Sequence, residues 1–277
     1  MYSTAQLDDA SVAIRKEILN VLNCARRGHI GSAFSIIEIM RVLYEKVMRF
    51  DAKKPDWVDR DRFILSKGHG CLALYVMLAR AGFIPEKELE GFCEAHSILG
   101  GHPQYEKIPG VEASTGSLGH GLPIGVGIAL SGVIDKKDFR TFVLLGDGEC
   151  NEGSVWEAAM AASKHHLNRL TAIVDYNKMQ CYSSTMEVQD LEPFADKWRS
   201  FGFHVEEADG HDMEALEKVL SRAPIDDEKP SVLICHTIKG KGIPMIENKA
   251  PWHHKSRMSD ELMDELYKAL EDGCSLP

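Results

Sequence analysis

Asp147 sits inside a Gly146-Asp147-Gly148 turn, and Asn177 closes the run Asp175-Tyr176-Asn177. Both follow apolar stretches of the kind that form buried strands, Phe142-Val143-Leu144-Leu145 and Leu170 to Val174. A helix-like segment separates them, so the order is strand, Gly-rich turn, helix, strand. That is a βαβ unit, with parallel strands and a right-handed crossover. It puts Asp147 and Asn177 at the carboxyl ends of neighbouring strands, where open α/β sheets bind ligands. A carboxylate and an amide oxygen there suit a hard cation such as Mg2+, which takes oxygen ligands and shares them with phosphates. The glycines allow a tight turn, and a helix opening near Glu149 would offer free N–H groups to a phosphate. Asp-Gly alone is a common turn dipeptide; the spacing to Asn177 gives it weight.

Histidines are the second chemical resource. Five short loops carry one beside Gly, Pro or Trp: Gly28-His29, Gly68-His69, Gly101-His102-Pro103, Gly119-His120-Gly121 and Trp252-His253-His254. Imidazole titrates near neutrality and exchanges protons with hydroxyl groups, so loops converging on one sheet edge would make a site for a polyhydroxylated substrate. Taken singly, each reads as a loop or cap residue. His165 and His166, at a helix end, read as structural, and His96, His204, His211 and His236 show no pattern. No HxH or HExxH spacing supports zinc.

The elements that must position these groups follow from periodicity. Helices are predicted over Leu7 to Arg26, Ile36 to Val47, Leu72 to Arg80, Pro85 to about Ala95, Leu122 to Ile134, Pro193 to Phe201, Met213 to Leu220 and Asp260 to Leu270. Beyond the central unit, strands are predicted over Arg62 to Ser66, Phe203 to Ala208 and Val232 to Ile238. Alternation of this kind predicts an α/β fold, a doubly wound, mostly parallel sheet with helices on both faces. The passage from Ser97 to Gly121, rich in Gly and Pro, is too long to be an idle loop in a compact domain. The Lys239-Gly240-Lys241-Gly242 run reads equally as a mobile flap beside the site and as a solvated loop.

The 277 residues are read as one domain, 1–277, and their net charge of −10 without a basic block argues against a nucleic-acid or anionic-membrane surface. The start lacks the apolar core of a signal peptide, and no run approaches membrane-spanning length. Seven cysteines (Cys24, Cys71, Cys93, Cys150, Cys181, Cys235, Cys274) lie scattered without a CxxC pair, so a reducing, cytoplasmic compartment is expected, with each cysteine a small core residue.

Taken together, GHIG, SKGHG, GGHPQ, TGSLG, GDGECNEG and IVDYNKMQ, in this order from residue 28 onward, resemble the N-terminal, diphosphate-binding half of transketolase, a thiamine diphosphate enzyme. The resemblance implies a metal site at Asp147, Asn177 and the Met179 carbonyl, holding Mg2+ with Ca2+ or Mn2+ as substitutes. It implies that His69, Gly116, Ser117, Leu118, Gly148, Asn177 and His253 bind the cofactor, with Glu152 beside them coupling paired subunits. His29, His102 and His253 would meet the substrate. The chain departs from the family at His120, usually Gln, at GHIGS, commonly GHPGG, and at WHHK, where His253 and His254 compete for one role.

In full-length transketolases the activating Glu, the pyrimidine pocket and the arginines that grip a sugar phosphate lie in later domains, and here the sequence stops soon after Leu270. The resemblance therefore implies a split enzyme. This chain would join a C-terminal transketolase subunit, forming an α2β2 complex, and move a two-carbon ketol unit from a ketose or its phosphate to an aldose. The alternatives are a subunit resembling deoxyxylulose phosphate synthase or a 2-oxo acid dehydrogenase, and a non-catalytic binding relative.

Overall fold

The computed structural model describes residues 5–273, so Cys274 lies outside the described residues. The first helix, α1 (Asp9–Ala25), starts where the Asp8 carboxylate accepts from Ser11 N at 2.7 Å, and ends at Arg26 in the left-handed conformation. Its Ile14, Ile18, Leu19 and Leu22 are buried at helical spacing. Then come α2 (Ile30–Phe34), α3 (Ile37–Val42) running into a π turn over Leu43–Val47, β1 (Arg62–Leu65), α4 (Cys71–Arg80) and α5 (Gly121–Ile134). The central unit is β2 (Thr141–Gly146), α6 (Gly153–Lys164) and β3 (Leu170–Tyr176). The chain continues through α7 (Thr185–Gln189), α8 (Phe194–Ser200), β4 (His204–Asp209), α9 (Met213–Leu220), β5 (Ser231–His236) and α10 (Asp260–Gly273).

The five strands lie in the order β1-β2-β3-β5-β4, and every neighbouring pair is parallel. Strand residues alternate between two cores. Phe142, Leu144, Ile173, Leu233 and Cys235 face a layer that includes α1, α3, α4, α9 and α10. Val143, Leu145, Ala172, Val174, Val232 and Ile234 face α5, α6 and α8. β3 is buried along its whole length, so the strand that ends at Asn177 is anchored from both sides. No helix among the described residues is long and apolar enough to cross a membrane.

Several expectations need correction. The helix expected from Pro85 to Ala95 is a short 3-10 segment, Glu86–Gly91, with no fully buried residue; Leu89 alone packs against the core, too narrow an apolar face to hold a longer helix. The expected helix from Ile36 to Val47 gives way to the π turn after Val42. The helix after the GDG turn opens at Gly153; a 3-10 turn, Gly148–Asn151, precedes it. Cys71, Cys150 and Cys235 are buried as expected, but Cys24 and Cys181 are exposed and Cys93 is half-buried.

Candidate active site

Gly146 pairs in register with Asp175, and Asp147 N donates to Asp175 O at 3.2 Å, so the ends of β2 and β3 meet on one rim. Buried Asp175 is the post around which that rim is built. Its carboxylate accepts from Lys67 Nζ, Thr237 Oγ1, Ser35 Oγ (2.7 Å) and Asn177 Nδ2 (2.9 Å). Burial alone would raise its pKa; the Lys67 ammonium and the two hydroxyls outweigh it and hold the carboxyl below the usual range. Because Asn177 spends its amide nitrogen on Asp175, its Oδ1 is free to accept, and Met179 N meets it at 3.0 Å.

Asp147 is buried one step away and accepts from Gly148 N (2.6 Å) and Lys178 N. The Gly148 N–H expected to be free for a phosphate is thus engaged by the Asp147 side chain. Burial, and then the neighbouring Asp175 charge, push the Asp147 carboxyl up to about 7. A desolvated carboxylate, a committed amide oxygen and the Met179 carbonyl make an all-oxygen donor set suited to a hard divalent cation. Lys239 Nζ already donates to the Met179 (3.0 Å) and Gln180 (3.2 Å) carbonyls, so this corner attracts positive charge.

Above the rim lies a cavity of ≈ 290 Å3, bounded by Asp147, Asn177 and Met179 on one side and by His29, His69, His102 and His253 on the other. The His29 ring is 5.4 Å from His69, 6.3 Å from His102 and 5.3 Å from His253, centroid to centroid. His69 and His253 are 5.2 Å apart. Burial, then the neighbouring imidazoles, lower His29 to about 3; burial, then Lys239, lowers His253 to about 4. Burial also depresses His69, strongly, and His102. All four are neutral at pH 7, so each offers one donor and one acceptor nitrogen. Lys239 Nζ lies 3.0 Å from His253 Nδ1, which leaves the proton of His253 on Nε2. His254 faces away from this cavity, its ring 4.5 Å from His29.

The long loop supplies His102, Gly116 and Leu118 to the lining. Gly116 has φ +135°, and a Cβ there would sit 2.7 Å from His102 Cδ2, so only glycine lets the imidazole lie against the backbone. The loop is tied to the sheet by buried Glu149, which accepts from Ser66 Oγ, Gly119 N (3.0 Å) and Gly146 N (3.0 Å). Beside the GDG turn, Gly148 leaves room for the Gln180 side chain, whose Nε2 is buried without a hydrogen-bond partner. An unpaired donor on the cavity wall fits an anionic guest such as a diphosphate. Ser117 and Glu152 are exposed and do not line the cavity, although Glu152 caps α6 next to Gly119.

The Lys239 loop is held from behind. Ile238 N donates to His211 Nε2 at 2.9 Å, so His211 carries its proton on Nδ1 and donates it to Glu38 Oε2 at 2.7 Å. Glu38 also receives Arg15 through both oxygens, and Arg15 Nε reaches Lys241 O at 2.8 Å. All three side chains are buried, so the network fixes the loop against α1 and α3. His211 is therefore a structural element that showed no sequence pattern. Sequence reasoning also missed Ser32, Lys67, Glu149 and Gln180 in the lining. The SKGHG motif contained Lys67, and GDGE contained Glu149, so the signal lay two residues from His69 and from Asp147.

A family profile described as "Transketolase, thiamine diphosphate binding domain" matches residues 8–270. The chain is similar to an apulose-4-phosphate transketolase subunit from Phocaeicola vulgatus, 44% identical over 240 residues that cover 87% of this chain and 85% of that one. It is similar to the 6-deoxy-6-sulfo-D-fructose transketolase subunit SqwG of Clostridium sp., 40% identical, covering 92% and 91% of the two chains. Among solved structures, a Pichia stipitis transketolase superposes with a TM-score of 0.87 at 31% identity. That match covers 97% of this chain and 42% of the yeast one.

Proposed function

The chain belongs to the transketolase family through its thiamine diphosphate-binding domain, and on that premise we propose that it works as the diphosphate-binding subunit of a split transketolase. It moves a two-carbon ketol unit from a ketose to an aldose. The observation that carries this reading is the convergence of four neutral imidazoles on a cavity floored by Asp147 and Asn177. Relatives of matching length named as transketolase subunits support a partner chain that completes the site, and the assembly we propose is α2β2. Their names also point to sugars bearing a phosphate or a sulfonate. Three buried free thiols, Cys71, Cys150 and Cys235, accord with a cytoplasmic assembly.

Asp147, Asn177 and the Met179 carbonyl would hold Mg2+; His69, Leu118 and the spare Nε2 of Gln180 would hold the diphosphate, with side-chain-free Gly148 leaving room for it on the cavity wall. Gly116 and Ser117 belong to the same loop, and Glu152 stands at its edge, available to a neighbouring protomer. Thiamine diphosphate, when bound, supplies the ring that stabilises a carbanion while the sugar C–C bond breaks and re-forms. This chain's own work is to bind and orient. His29 and His253, neutral at pH 7, donate to and accept from the sugar's hydroxyls and carbonyl oxygen. His102 exchanges a proton with the hydroxyl next to the bond that is cleaved. The activating carboxylate belongs to the partner.

The test is reconstitution. Mixing the chain with its partner, Mg2+ and the cofactor should restore ketol transfer, and His102→Ala should lower turnover roughly 10²-fold while sparing cofactor affinity. No transfer across a broad sugar panel, or pyruvate turnover in its place, would overturn the assignment.

A further inference from the structure

A second cavity, of ≈ 440 Å3, opens off the first and shares His29 and His102 with it. A sugar held by those two imidazoles therefore has space beyond them for the rest of its chain. Arg27, His254 and Ser256 line that space, with Phe92 and Cys93 as its apolar wall. In a chain whose net charge is −10, no carboxylate among the described residues lines this cavity. Arg26 is spent on Asp260 at 2.6 Å, whereas the exposed Arg27 guanidinium forms no ion pair or hydrogen bond among the described residues. Its position is built in. Gly28 and Lys255 exchange both backbone hydrogen bonds (2.9 and 3.0 Å), which pins Arg27 and His29 opposite His254 and Ser256.

Resting on the ketol-transfer reading, we infer that this cavity receives the anionic tail of the sugar, a phosphate or sulfonate, with Arg27 as its specificity-determining contact. The guanidinium fork matches two oxygens of a tetrahedral anion. The Ser256 hydroxyl and an imidazole N–H of His254 supply further donors at the mouth. Recognition of the charged tail is then shared between the two chains, not left wholly to the partner.

The experiment uses the holoenzyme assembled with its partner, Mg2+ and cofactor, and compares a ketose phosphate, a ketose sulfonate and uncharged erythrulose. Arg27→Ala should raise KM at least tenfold for a charged ketose while KM for erythrulose moves less than twofold, and Arg27→Lys should fall between. A rise with the phosphate or with the sulfonate supports the subsite and names its anion. Equal rises for charged and uncharged ketoses, or no rise for either anion, overturn it. If the wild-type holoenzyme transfers no ketol unit from any sugar, the functional reading fails by itself, and calorimetric titration with inorganic phosphate decides the subsite. Binding lost in Arg27→Ala upholds an anion site; equal binding, or none, in both proteins removes it.

Discussion

Asp175→Asn should be the most damaging conservative change in the molecule. The carboxylate is fully buried, its partner Lys67 is 1% exposed, and four donors converge on it from four parts of the chain. An asparagine keeps the shape but cancels the charge. It strands the Lys67 ammonium in the interior and turns an NH2 group toward at least one of the converging donors. One-sided loss of a buried ion pair costs about 3–5 kcal/mol. Against a total stability of about 5–15 kcal/mol that is a large share, and at about 2–4 °C per kcal/mol it lowers the melting point by roughly 6–20 °C. Scanning calorimetry and urea titration of the purified chain read this directly. The decisive comparison is the double variant Lys67→Met/Asp175→Asn. With no stranded cation, it should recover more than half of the loss, although the Asn177 amide, no longer oriented, leaves Mg2+-dependent cofactor binding impaired in both proteins. A single variant that melts within about 2 °C of wild type, or a double variant that loses the sum of the two single losses, would refute the reasoning.

Gly116→Ala forces a side chain into a left-handed backbone and onto the His102 ring, so turnover of the holoenzyme should fall at least tenfold while the fold persists; undiminished turnover would show that His102 needs no such support. Asp147→Ala removes the anionic ligand of the proposed metal site, and calorimetry on the assembled complex should find Mg2+-dependent cofactor binding abolished; unchanged affinity would dismiss the metal assignment. Acid should destabilise the chain through His29 and His253. Their folded pKa values, about 3 and about 4, lie below the ordinary 6.5, so between those limits the unfolded chain binds more protons and stability rises with pH. Lowering pH from 7 to 5 should cost on the order of 1 kcal/mol per imidazole once their partial exposure is discounted. Removing both imidazoles, in His29→Asn/His253→Asn, should flatten that part of the profile; an unchanged slope would place the titration elsewhere.

Much of this was legible in the chain because it is local. Runs such as Phe142 to Leu145 alternate between two apolar layers whatever their partners, and a Gly-Asp-Gly turn after such a run ends a parallel strand at the rim that binds ligands. The loop histidines were visible because His29, His69, His102 and His120 each stand beside a glycine, which breaks regular structure, and His253 follows a tryptophan just after Pro251. Where an expected helix failed, as after Pro85, a proline start signal says nothing of whether any face will be covered. Tertiary structure alone decided the charged interior. Lys67 meets Asp175 across 108 residues, and Glu38 meets His211 across 173. A buried ion pair or proton-sharing pair has no period, because its members are tolerable only in each other's company. Tertiary structure likewise separated His253 from His254, adjacent in sequence, by facing one imidazole into the cavity above Asp147 and the other into the space beside Arg27.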